Sequence, residues 1–145
     1  MADNHSNATK SVDTTCESTL ESVDTVESLI LQMAQEAGFE EEKLHKVGMS
    51  VREAMVNAVV HGNRYNLKKK VYVAIAAENA WLWITIVDEG EGFEPKELPD
   101  PLAEENLLRQ SGRGLLLIQA FVDHFEMHKA PPRGTLVKLG FKRTR

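Results

Sequence analysis

The chain has 145 residues, enough for one domain with a sizeable core, and its 42% hydrophobic and 27% charged content is ordinary for a soluble globular protein. A net charge of -5 argues against direct nucleic-acid binding, which favours a basic surface; the one basic run, Lys68-Lys69-Lys70, reads as a solvated strand entrance. Cys16 is the only cysteine, which excludes an internal disulfide and argues against structural zinc, and no apolar run reaches the ~18 residues of a membrane span. The N-terminal MADNHSNATK has no apolar signal core, so the expected location is cytoplasmic.

Residues 1–9 are small and polar and are predicted to form a disordered tail, with 10–145 as a single domain. Lys10 to Ser18, with Val12, Thr14, Thr15 and Cys16, suits a weak edge strand. Thr19 to Ala37 is predicted helical, because Leu20, Val23, Val26, Leu29, Ile30 and Met33 recur at three- and four-residue steps and Gly38 follows. Glu40 to Val60 is a second helix with Leu44, Val47, Val51, Met55, Ala58 and Val59 as its core stripe, closed by His61-Gly62-Asn63. Lys70 to Ala77 alternates Val71, Val73 and Ile75 against Tyr72, Ala74 and Ala76, and Glu78-Asn79 turns this strand back into Trp81 to Val87. That second run is apolar almost throughout and reads as a central strand covered on both faces.

Asp88 to Phe93 breaks the strand sharply. Glu94 to Gln110 is a long, mostly irregular connection with three prolines, in which Ala103 to Arg109 suits a helical turn; loops of that length are usually functional or mobile. Ser111 to Gly114 opens a third helix, Leu115 to about Phe125; Pro131 to Gly134 is a turn, and Thr135 to Phe141 is the last strand. The fold class is therefore α+β, a two-layer α/β sandwich whose mixed, mainly antiparallel sheet is covered on one face by helices.

Three stretches carry chemistry. In VREAMVNAVVH, Glu53, Asn57 and His61 stand four residues apart, so a helix lines up a carboxylate, a carboxamide and an imidazole on one face of an otherwise apolar segment. An amide oxygen suits Mg²⁺, and a nearby carboxylate can take a proton from a hydroxyl; a merely wet helix edge would look the same. Asp88-x-Gly90-x-Gly92 ends a buried strand, where glycines let a flat ligand approach the backbone and the aspartate can accept from an exocyclic amine; a plain acidic turn is the commoner meaning of such a stretch in isolation. Gly112-Arg113-Gly114 precedes an apolar helix, whose N-terminal N–H groups are a ready phosphate site with Arg113 as an added fork; glycine needed for packing is the alternative. His61 suits a helix C-terminal cap rather than catalysis.

Together these stretches resemble the GHKL ATPase superfamily. Glu53-x-x-x-Asn57-Ala58-x-x-His61-Gly62 resembles its N box, Asp88-x-Gly90-x-Gly92-Phe93 its first glycine box, Gly112-Arg113-Gly114-Leu115 the second, and Gly134-Thr135 its final strand motif. Within the superfamily, the small size, EAMVNAVVHG, VDEGEGFEP and ENLLRQSGRGLLLIQAFVD are most similar to the anti-sigma regulatory factor/serine-protein kinase family, the RsbW-like proteins. The resemblance implies the GHKL (Bergerat) fold with ATP and Mg²⁺ as cofactors. It implies Asn57 as the Mg²⁺ ligand and Glu53 as general base. Asp88 would bind the adenine amino group, helped through water by Thr135, with Gly90 and Gly92 shaping the pocket. Gly112, Arg113 and Gly114 would cradle the phosphates, and Glu94 to Ser111 would be the ATP lid.

The function so implied is an ATP-dependent protein serine kinase of a partner-switching circuit, phosphorylating a STAS-type anti-sigma antagonist and sequestering a sigma factor, as a homodimer. The apolar residues of the first helix, or Trp81 and Trp83 on the sheet, are candidates for the dimer contact. A non-catalytic anti-sigma module using ATP only structurally is the alternative, and an intact Glu53 favours the kinase. The ATPase half of a sensor histidine kinase is a poorer match, since His5 and His45 are badly placed for phosphorylation.

Overall fold

A computed structural model describes residues 9–91 and 110–143, and of residues 110–113 the backbone alone. The expected tail (residues 1–8 of it), Gly92, Phe93 and the long connection up to Arg109, with the helical turn and all of the expected lid but Gln110 and Ser111, lie outside the described residues. The elements are β1 (Lys10–Cys16), α1 (Leu20–Glu36), α2 (Glu41–Val56), a π-helical turn (Asn57–Gly62), β2 (Val71–Glu78), β3 (Trp81–Val87), α3 (Gln110–Phe121), β4 (His124–Lys129) and β5 (Thr135–Lys142).

Local chemistry sets the boundaries. Thr19 Oγ1 accepts the Ser22 N–H at 3.2 Å and starts α1, a cap worth about 1 kcal/mol. At its other end Gly38, at φ 92°, donates to the Gln35 carbonyl and Phe39 donates to that of Ala34, which closes a Schellman motif. Asn79 and Ala80 both take positive φ, 52° and 71°, a two-residue reversal whose twist matches the β2–β3 hairpin.

The strands pair in the order β1-β2-β3-β5-β4. All four pairings are antiparallel, the limiting case of the mainly antiparallel sheet read from the sequence. Residue parity decides the layers. Val71, Val73 and Ile75 of β2, Leu82, Ile84 and Ile86 of β3, and Leu139 and Phe141 of β5 are buried. They share one core with Val23, Val26, Ile30 and Met33 of α1, Val47, Val51 and Met55 of α2, and Ile118 of α3.

Four expectations change. β3 is not covered on both faces: Trp81, Trp83, Thr85 and Val87 are half-buried on the helix-free side. There the two indoles stack 4.7 Å apart at 7°, and Lys138 Nζ lies 4.9 Å from the Trp83 ring, so the apolar strand is shielded without a second layer. The third helix ends at Phe121, and His124–Lys129 is a strand unforeseen from the sequence. Phe125 continues the helical spacing of Ile118, Phe121 and Val122, yet in the sheet Phe125 and Met127 stand opposite Leu139 and Val137 with period two. Leu20, counted in the core stripe, is 50% exposed on the first turn of α1. The second helix stays α-helical only to Val56. Among the described residues no helix is long and apolar enough to cross a membrane.

Candidate functional site

The π-helical turn joins two clusters of polar groups, one at Gly62 and one at Asn57. The first is centred on Asp88, just past β3. Its N–H donates to the Thr135 carbonyl at 3.0 Å. Its Oδ1 accepts the N–H of Gly90 at 2.9 Å and of Thr135 at 3.2 Å. The residue is 6% exposed. Burial pushes its carboxyl above the ordinary carboxylate range, against the pull of those two N–H groups and of the Lys69 charge. Among the described residues no donor is seated on Oδ2.

Three glycines lock around this carboxylate. A Cβ on Gly62 would lie 2.5 Å from Asp88 Oδ2. One on Gly90 would collide with the Gly62 backbone, and one on Gly134, at φ 111°, with the Asp88 carbonyl. Gly90 is thus required by close approach rather than by a positive φ, which only Gly38 and Gly134 adopt among the described glycines. A free carboxylate oxygen beside walls stripped to backbone fits a flat ring bearing an amino group.

The second cluster forms where α2 meets α3. A Cβ placed on Gly114 would sit 2.6 Å from Glu53 Oε1 and 3.8 Å from Asn57 Nδ2. The carboxylate and the carboxamide therefore come together, both half-buried, against α3. That helix begins at Gln110, so Gly112 and Arg113 lie inside its first turn rather than before it. The Gly112 N–H is thus among the four that an α-helix leaves without an internal partner, and Arg113 and Gly114 follow directly. The Arg113 side chain lies outside the described residues.

His61 does not continue the line of Glu53 and Asn57. The change to π geometry at Asn57 widens the turn, and His61 is exposed. The widened turn closes through Asn63 N–H on the Ala58 carbonyl at 2.8 Å and Tyr65 N–H on that of Val59 at 2.9 Å. Such local π geometry is frequent at functional sites.

Sequence reasoning missed a buried polar network behind Asp88. Asn63 Nδ2 donates to Ser18 Oγ at 2.9 Å and to the Lys70 carbonyl at 3.0 Å, and its Oδ1 accepts the Glu89 N–H at 2.8 Å. Ser18 Oγ donates onward to the Lys69 carbonyl at 2.5 Å. The available signal was an asparagine directly behind the helix-closing glycine, a position suited to turn chemistry.

The family model described as the histidine kinase-like ATPase domain matches residues 16–141. The anti-sigma F factor of Bacillus subtilis is 32% identical over 100 residues, covering 68% of each chain. That of Bacillus cereus is 34% identical over 100 residues, again 68% of each. In three dimensions the chain is similar to the RsbU and RsbW domains of Rv1364c from Mycobacterium tuberculosis, with a TM-score of 0.69 at 19% identity over 94% of this chain. It spans 33% of that longer chain, and the likeness shows the GHKL-type fold. The chain therefore belongs to the histidine kinase-like ATPase domain family, in the branch of the anti-sigma regulatory factors.

Proposed function

We propose that the chain is a protein serine kinase of a partner-switching circuit. It phosphorylates a serine of a STAS-type anti-sigma antagonist and holds a sigma factor away from transcription. The second half of that reading is supported by the relatives, which are named anti-sigma F factors. The first half is carried by one observation: Glu53 and Asn57 converge on Gly114, beside the first turn of α3.

In this reading Asp88 accepts the adenine amino group, with Thr135 beside it and Gly90 and Gly92 lining the base pocket. The backbone of Gly112 and Gly114 and the Arg113 guanidinium hold the phosphates. The Asn57 carboxamide is the protein's ligand to Mg²⁺, a hard cation that such an amide suits. When bound, MgATP supplies the phosphoryl group and offsets its charge. Glu53, one turn before Asn57, takes the proton of the incoming serine hydroxyl. The protein works in the cytoplasm, with 10–145 as one domain and as a homodimer, for which the helix-free face bearing Trp81 and Trp83 offers an apolar contact.

The test is calorimetric titration of MgATP into the intact protein, Asn57→Ala and Glu53→Ala, followed by phosphotransfer to a STAS-domain substrate. The expected result is Mg²⁺-dependent binding lost in Asn57→Ala, and binding kept but phosphotransfer abolished in Glu53→Ala. Binding with no phosphotransfer by the intact protein would instead establish a non-catalytic anti-sigma module that uses ATP structurally. Loss of binding in Glu53→Ala would overturn its role as base.

A further inference from the structure

We infer that Asn63 is a positioning residue of the nucleotide site, fixing the Asp88 turn from behind and thereby setting the preference for an adenine base. The inference rests on the reading of Asp88 as the base-binding carboxylate.

Asn63 is 1% exposed and directly follows the π-helical turn. Its side chain joins three other places: the β1–α1 junction at Ser18, the approach to β2 at Lys70, and the turn after β3 at Glu89. The chemistry of the partners fixes which way the amide faces. Glu89 N–H can only donate and the Lys70 carbonyl can only accept, so oxygen and nitrogen cannot exchange places. Glu89 is held from its other side too, since Oε1 accepts the Lys70 N–H at 2.6 Å and Oε2 accepts the Tyr72 hydroxyl at 3.0 Å.

This matters for Asp88 because the peptide between Asp88 and Glu89 is the one Asn63 grips. On the other side of Asp88 the chain is already fixed, by the Thr135 main chain and by the β3 ladder. Two residues on, the Gly90 N–H returns to Asp88 Oδ1. The direction of the carboxylate, and hence where Oδ2 presents itself, depends on that peptide plane. Asn63 does not touch the carboxylate and acts only through the turn.

Ser18 provides the internal comparison. It shares the network and its burial, yet its hydroxyl bonds Asn63 and Lys69, not the Asp88 turn. Asn63→Ala and Ser18→Ala are each to be measured for thermal unfolding and for ATP and GTP affinity by calorimetry, with Asp88→Asn as the control on the base-binding carboxylate. Both alanine variants are expected to melt earlier. Only Asn63→Ala is expected to lose ATP affinity, about tenfold for one charge-assisted recognition geometry spoiled, and to narrow the ATP/GTP ratio. An unchanged ratio in Asn63→Ala, or an equal narrowing in Ser18→Ala, would leave Asn63 a structural residue and overturn the inference. If the intact protein shows no preference for ATP over GTP, or if Asp88→Asn binds ATP as the intact protein does, it is the reading of Asp88 that fails, and the inference with it. Should Asn63→Ala not fold, amide exchange in the intact protein decides: the Glu89 N–H must be strongly protected without nucleotide, and a freely exchanging one overturns the role.

Discussion

The two ends of the π-helical turn are built on different principles. At the Gly62 end, Asp88 is walled by main chain, and each neighbouring glycine is pressed against backbone or against the carboxylate itself. At the Asn57 end, the groups are side chains projected from α2 and the π-helical turn, and the nearest obstacle to Gly114 is the tip of a glutamate. Close-packed backbone has nowhere to move, whereas a half-buried glutamate can change rotamer. In the proposed function, one end recognises by rigidity, and the other keeps the freedom that a proton-transfer group needs as substrate arrives.

Two alanine substitutions put that contrast to its hardest test. Gly90→Ala drives a methyl into the Gly62 backbone, and overpacking of this kind costs about 1–3 kcal/mol or more. It is expected to lower the melting temperature clearly and to abolish MgATP binding. Gly114→Ala displaces only Glu53, and alanine within a helix gains about 0.5–1 kcal/mol over glycine. It is expected to keep its fold and its MgATP binding while phosphotransfer falls sharply. Equal losses of binding in the two variants, measured side by side by calorimetry, would remove the distinction.

Asp88→Asn sharpens the same comparison by separating stability from recognition. The buried carboxyl titrates above its ordinary range, so the native protein still holds that proton at pH values where the unfolded chain has released it. Stability from this group therefore falls as pH rises from the unfolded value through the folded one. Asparagine keeps the Oδ1 acceptor for Gly90 and Thr135 without the buried charge. The nucleotide-free variant is expected to melt above the intact protein at neutral pH, with the gap closing in acid, while ATP affinity collapses because an amide nitrogen replaces the free acceptor. A lower melting temperature at neutral pH would mean that the ionised carboxylate is well solvated in the native state.

How far the sequence disclosed this follows from what kind of signal each feature leaves. Periodicity carried α1, α2, β2 and β3, because burial on one face repeats along an element. Asp88 and Gly90 marked the tight turn after β3, because the glycine there is dictated by steric need. β4 escaped because Phe125 satisfies two periods at once, and only pairing with β5 selects period two. The π-helical turn escaped because nothing in Asn57 to Gly62 breaks an α-helical pattern; it took tertiary packing to widen it and turn His61 outward. Asn63 and Ser18 escaped because a satisfied buried polar residue has no periodic signature, and its partners are distant in sequence.

The smallest expected effect lies farthest from the site, and it reverses the sign seen at Asp88. On the edge strand β4, His124 Nε2 and His128 Nε2 stand 2.6 Å and 2.9 Å from the two oxygens of Glu126. The two histidines hold that carboxyl down to about 2, from an ordinary 4.5. A depressed acid contributes stability that is present above its unfolded value and is lost as pH falls toward the folded one. Exposed pairs of this kind contribute little, so replacing both histidines with glutamine is expected to lower the melting temperature only slightly above the unfolded carboxyl's range, with the gap closing as pH falls toward the folded value. ATP binding should not change, since β4 pairs only with β5, which alone separates it from β3 and the Asp88 turn. Melting temperatures of the double variant and of Asp88→Asn should therefore depart from the intact protein in opposite directions at neutral pH, and both should approach it in acid. Departures of the same sign at neutral pH would show that burial at Asp88 does not set the two acids apart.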